Sequence, residues 1–136
     1  MNDMEIAANN LAGHSLVLCK NGDIISSDKR GISPMLDFIS EGRNLQGYSA
    51  ADTVVGKAAA MLFIKAGIKE VYAKTLSRSG KNVLDAFGIP VSYGVLTDKI
   101  INRERTGICP MEQAVAEASD AETAFRCIIE KLNSLK

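Results

Sequence analysis

Three short stretches hold the residues whose types and spacing suit them for chemistry. The first, NRERTGICPMEQAV (residues 102–115), sets Cys109 between a basic, glycine-containing loop and Pro110. Proline has no amide hydrogen and a φ fixed near −65°, so it suits the start of a helix. Cys109 then becomes the N-cap and Glu112 the third helical residue. Free amides at a helix N-terminus, with Arg103 or Arg105 nearby, favour a thiolate and hence a nucleophilic cysteine. The Glu112 carboxylate acts against that charge, and the alternative is a small, half-buried cap with an inert thiol. Of the three cysteines, Cys109 is expected to react fastest, because Cys19 falls in an apolar strand and Cys127 in an amphipathic helix. Asn102, Arg103 and Arg105 also offer donors, and a guanidinium presents a planar fork to a carboxylate or phosphate.

The second stretch, ADTVVGKAAAML, places Lys57 in an otherwise apolar run. Read as one helix it surrounds Lys57 with Thr53, Val54, Ala60 and Met61, a setting that strips water from an amine and makes it a candidate base or nucleophile. The alternative is that its stem lies along the apolar face while the amine reaches water or Asp52. The third stretch, SRSGKN, follows a strand-like run and opens a helix. Its unpaired amides, with Ser77, Ser79 and Lys81, suit an anion. It lacks the full phosphate-loop pattern, and small polar residues also serve as plain caps. The sequence therefore nominates Cys109 and Lys57 for catalysis and Asp52, Ser77, Ser79, Lys81, Asn102, Arg103 and Glu112 for ligand binding. No metal or other cofactor is expected: the lone His14 and the cysteines at 19, 109 and 127 show none of the short spacings of a zinc site.

The elements that position these residues alternate. LVLCK and DIISS are β-rich runs joined by Asn21-Gly22, a dipeptide suited to the positive φ angles of a type I′ turn. The first run, Ser15 to Lys20, is apolar enough for the sheet interior, and the second, Asp23 to Ser27, polar enough for an edge. A leading helix precedes them. Ser33-Pro34 starts a helix to about Glu41, ended by Gly42. Ser49 with Asp52 resembles a capping box for a helix through about Ala66, closed by Gly67. KEVYAKTL, SRSGKNVLDAF and PVSYGVL then read as strand, helix and strand, which implies a parallel pair. Helices from Pro110 to about Ala118 and from Ser119 onward close the chain, the last with Ala121, Phe125, Ile128, Leu132 and Leu135 on one face. The expectation is one domain over residues 1–136: a three-layer α/β/α fold whose mixed sheet joins an antiparallel hairpin to parallel strands.

Composition narrows the partners. The chain has 136 residues, with sixteen basic against sixteen acidic side chains. No global field draws it to nucleic acid or an anionic membrane. Hydrophobic residues make up 46% and mean hydropathy is +0.04, as in globular proteins. The longest apolar run, VVGKAAAMLFIKAG, is broken by lysines and too short to span a bilayer. The first residues, MNDMEIAANN, lack the basic-then-apolar pattern of a secretory signal, so a cytoplasmic location is expected.

Hairpin, buried helix and strand-helix-strand together resemble the cytidine deaminase-like fold over residues 15–97. VYAKTLSRSGKNVLDAFGIPVSY is similar to that fold's second zinc segment, where a strand leads to Pro-Cys-x-x-Cys, a helix, Gly-Ile and another strand. DTVVGKAAA and NRERTGICPMEQAV more specifically resemble a prokaryotic family, domain of unknown function 1893, across most of the chain. The resemblance implies the deaminase-like fold and brings no established activity. Zinc deamination needs a His or Cys ligand, two further Cys ligands and a proton-shuttling Glu. This sequence has Gly56-Lys57-Ala58 where His-x-Glu would stand, and no cysteine in Ser77 to Lys81. The expected function is thus a zinc-free domain without deaminase activity that binds a small anionic or nucleotide-like molecule. One alternative is an enzyme or sulfur carrier using Cys109, with Lys57. The other is a non-catalytic protein whose apolar helices assemble a homo-oligomer.

Overall fold

A computed structural model describes residues 2–29, 31–100 and 109–134. Among these, the elements run α1 (Asp3–Asn9), β1 (Leu16–Lys20), β2 (Asp23–Ser27), α2 (Ser33–Ser40), β3 (Ser49–Val55), α3 (Lys57–Ala66), β4 (Glu70–Ser77), α4 (Arg78–Ala86), β5 (Val91–Thr97), α5 (Pro110–Ala114) and α6 (Ala121–Ser134). The five strands form one sheet in the order β2-β1-β3-β4-β5. β1 is antiparallel to β2 and β3, whereas β3, β4 and β5 are parallel to one another. The hairpin turns at Asn21 (φ 52°) and Gly22 (φ 84°), the conformation that an Asn-Gly pair tolerates at little cost.

The sheet is covered on both faces, giving the expected three layers. On one side α1 brings Ala7 against Val17, Cys19 and Ala51, with Leu11 following from the turn after the helix. On the other, Leu16, Leu18, Ala50, Val71 and Ala73 lie in the main core with α3, where Ala58 through Phe63 are all buried. α3 also packs against α4 and α6. Ala50 and Ala51 face opposite layers, Ala51 toward α1 and Ala50 into the core that holds α3.

The structure corrects the reading of residues 49–55. They form the central strand β3, paired on one side with β1 and on the other with β4. Ala50, Ala51, Ser49 and Asp52 suggest a helix start, yet Thr53-Val54-Val55 favours extended backbone and Gly56 ends the run. Two ladders of main-chain hydrogen bonds then override local preference. Asp52 is therefore a buried strand residue and caps no helix, and Lys57 is the first residue of α3, not a residue two turns inside it. Smaller shifts follow the same logic of capping. Ile32 is the N-cap of α2 and makes no side-chain cap bond, so Ser33 and Pro34 are the first two helical residues. α5 ends at Ala114, and Asp120 caps the start of α6, its Oδ1 accepting from the Thr123 amide at 2.7 Å.

Candidate functional site

The carboxyl ends of β3 and β4 lead directly into α3 and α4, so two helix N-termini open side by side. Open parallel sheets place ligands in this region. Gly56, the N-cap of α3, has no side chain with which to satisfy the first amides. Glu112 of α5 supplies the cap from 55 residues away. Its Oε1 accepts from the Lys57 amide at 2.7 Å and its Oε2 from the Ala58 amide at 2.8 Å. Lys57 answers in the opposite direction, its Nζ donating to the Ala116 carbonyl at 3.0 Å. α3 and the segment of α5 thus hold each other at two points. At α4, Ser77 is fully buried and its Oγ accepts from the Gly80 amide at 3.0 Å, with Ser79 Oγ 3.1 Å away.

The two N-termini touch through glycines. A Cβ added at Gly80 would come 3.0 Å from the carbonyl carbon of Gly56, and one added at Gly56 would come 2.1 Å from Glu112 Oε1. Gly56-Lys57-Ala58 and the segment Ser77 to Lys81 stand where the deaminase resemblance asks for the metal ligands. Their hydroxyls, Ser77 and Ser79, are bonded to the start of α4 and to each other, and both oxygens of the neighbouring Glu112 carboxylate are engaged by amides. This donor set does not fit zinc. Among the described residues no group of three His, Cys, Asp or Glu side chains could hold a metal ion.

A cavity of about 300 Å³ opens beside this junction, lined by Lys57, Ser79, Asp98, Lys99, Ile100, Glu112 and Ala116. Asp98 is tied to Arg78, whose Nε donates to Oδ1 at 2.7 Å. A narrower cavity of about 120 Å³ on the other side of Glu112 and Ile100 holds Cys109 among Ile32, Val54, Ala58, Ala59 and Met111. Cys109 is half-buried and is the N-cap of α5, as its sequence position suggests, but its thiol caps no amide. Its own amide donates to the Ile100 carbonyl at 3.0 Å.

The nominated residues are therefore only partly assembled. Lys57, Ser79 and Glu112 line the larger cavity, with Ser77 behind Ser79, while Cys109 and Lys57 line different cavities. Lys81 turns to Asp85 in a 2.7 Å ion pair along α4. Asp52 is buried within β3. Asn102, Arg103 and Arg105 lie outside the described residues. Asp98, Lys99 and the capping role of Glu112 escaped sequence reasoning. One signal was available: a helix opening on Val-Val-Gly-Lys has no local cap, so an acceptor must come from elsewhere.

No curated protein matches the chain. Among solved structures, a protein of the same 1893 domain family from Thermotoga maritima is similar at a TM-score of 0.80 and 27% identity, over 88% of this chain and 82% of that one. A bifunctional diaminohydroxyphosphoribosylaminopyrimidine deaminase and 5-amino-6-(5-phosphoribosylamino)uracil reductase from the same organism matches at a TM-score of 0.49 and 19% identity, over 68% of this chain and 35% of that one. The family model described as domain of unknown function DUF1893 matches residues 7–132, so the chain belongs to that family.

Proposed function

We propose that the 300 Å³ cavity at the α3–α4 junction binds a small anionic molecule, of the size of a sugar phosphate or the phosphate end of a nucleotide. The observation that carries this reading is the commitment of both acidic side chains in the wall. Glu112 is absorbed by the amides of α3 and Asp98 by Arg78. Among the described residues Lys57 and Lys99 enter no ion pair, and both line the cavity with the Ser79 hydroxyl beside them. That Glu112 itself sits on two amides supports the preference of this junction for oxyanions. Lys57 has spent one of its three N–H donors on a carbonyl, which leaves two for a ligand.

Thermal unfolding at fixed ionic strength tests it, with inorganic phosphate, ribose 5-phosphate and AMP as probes. A probe at about one hundred times its Kd stabilises the native state by about 2.7 kcal/mol. We expect such a rise with at least one probe and its loss in Lys57→Met. If none of the three moves the transition, or if Lys57→Met responds like the parent, the reading is wrong.

A further inference from the structure

The opposite face of the sheet carries a second group of polar side chains around its own cavity. It measures about 270 Å³ and lies where α1 ends, lined by Ala8, Leu11, Ala12, Gly13, His14, Thr53, Tyr72 and Lys74. We propose that this α1-side cavity is a separate binding site for a small hydroxy- or amino-carboxylate with a compact apolar body. Strand register explains why the polar residues converge. Asp52 pairs with Ala73 and Val54 with Thr75, which sets Thr53 beside Lys74 on neighbouring strands. The Thr53 amide donates to the Ser15 carbonyl at 3.2 Å, which brings His14 to the same end of the sheet.

The donors and acceptors specify the ligand. His14 Nδ1 lies 2.6 Å from Asp28 Oδ1. A carboxylate partner requires the proton on Nδ1, so in the neutral ring Nε2 is an acceptor. Thr53 lines the same cavity, and its hydroxyl carries lone pairs that can accept from a ligand. With the imidazole neutral, both groups accept, and the guest then needs an O–H or N–H. Lys74 is exposed and enters none of the ion pairs among the described residues, so its charge is available for a carboxylate. Ala8, Leu11 and Ala12 form an apolar wall for the rest of the molecule, and Tyr72 adds an aromatic ring with a hydroxyl.

The experiment uses the whole chain and 4-hydroxybenzoate, with benzoate lacking the donor and phenol lacking the anion. Amide NMR titration is expected to move the signals of Gly13, Thr53, Tyr72 and Lys74 and to leave those of Ser79 and Lys99 in place. Affinity should fall about tenfold in Lys74→Met and in Thr53→Val, both with unchanged thermal transitions, and stay at the parent value in Lys57→Met. Benzoate and phenol should each bind more weakly than the hydroxy acid. Absence of shifts at millimolar probe overturns the proposal. So do shifts confined to the Lys57 cavity, equal binding of all three probes, or parent affinity in either cavity variant. Because Lys57→Met separates the two cavities, failure here leaves the phosphate test on the other face to stand or fall alone.

Discussion

Replacing Asp52 by Asn should abolish a pH-dependent weakness in the fold. Asp52 is 6% exposed and lies between Leu16 of β1 and Ala73 of β4, without a cation among the described ion pairs. Loss of water pushes its carboxyl from 3.8 up to about 7, against the pull of the amides of Val54 and Thr53 and the Thr53 hydroxyl. The folded protein thus holds this proton more tightly than the unfolded chain does. Its contribution is complete below the ordinary carboxylate pKa and is lost as pH rises through about 7. The whole span corresponds to roughly 4 kcal/mol at about 1.36 kcal/mol per pH unit. Between about pH 4.5 and about pH 8, roughly 3 kcal/mol of it is traversed. Asn keeps the size and one acceptor but cannot ionise. Urea unfolding of both proteins across that range cancels every other titration in the difference. The parent should lose about 3 kcal/mol relative to Asp52→Asn as pH rises. Parallel stability curves would refute the argument and mean that the carboxylate is compensated in the fold.

Glu112→Ala should cost about 1–2 kcal/mol in urea unfolding, because the amides of Lys57 and Ala58 lose their acceptor, with Glu112→Gln intermediate. An unchanged midpoint for the alanine variant would show that water caps α3 equally well. Alkylation of the folded protein by iodoacetamide, followed by peptide mass spectrometry, should label Cys109 first and Cys19 last. Cys19 is fully buried, and its thiol is pushed up by loss of water and by nearby Asp3. Cys109→Ser should remove the fast phase, and a fast phase that persists in it assigns the reactivity to Cys127.

The elements legible in the sequence are those whose cause is local. Asn21-Gly22 dictates its turn, an apolar strand beside a polar one sorts into interior and edge, and Ser77 caps α4 through a bond three residues long. β3 was hidden because its cause is not local. Ser49 to Asp52 carry helix-start chemistry, and only pairing with β1 and β4 makes them a strand. The same distinction divides the site. Ser79 and Lys57 are nominated from their own surroundings alone, and the fold places Lys57 at the first position of α3 and not two turns inside a helix. The capping role of Glu112 depends on a contact spanning 55 residues, and no periodicity reports such a contact.

The glycine contact at the α3–α4 junction bears on which catalysts this chain could become. A single substitution to cysteine at position 80 would push its Cβ to 3.0 Å from the carbonyl carbon of Gly56, and a histidine at 56 would meet the Glu112 carboxylate at 2.1 Å. Each obstacle involves the backbone of one helix start or the cap of the other. A ligand introduced at either glycine would therefore have to displace something already in place, the Glu112 cap of α3 or the backbone at Gly56. For this chain, new chemistry is more accessible in the side chains that line the cavity beside the junction, where substitutions leave the joint intact.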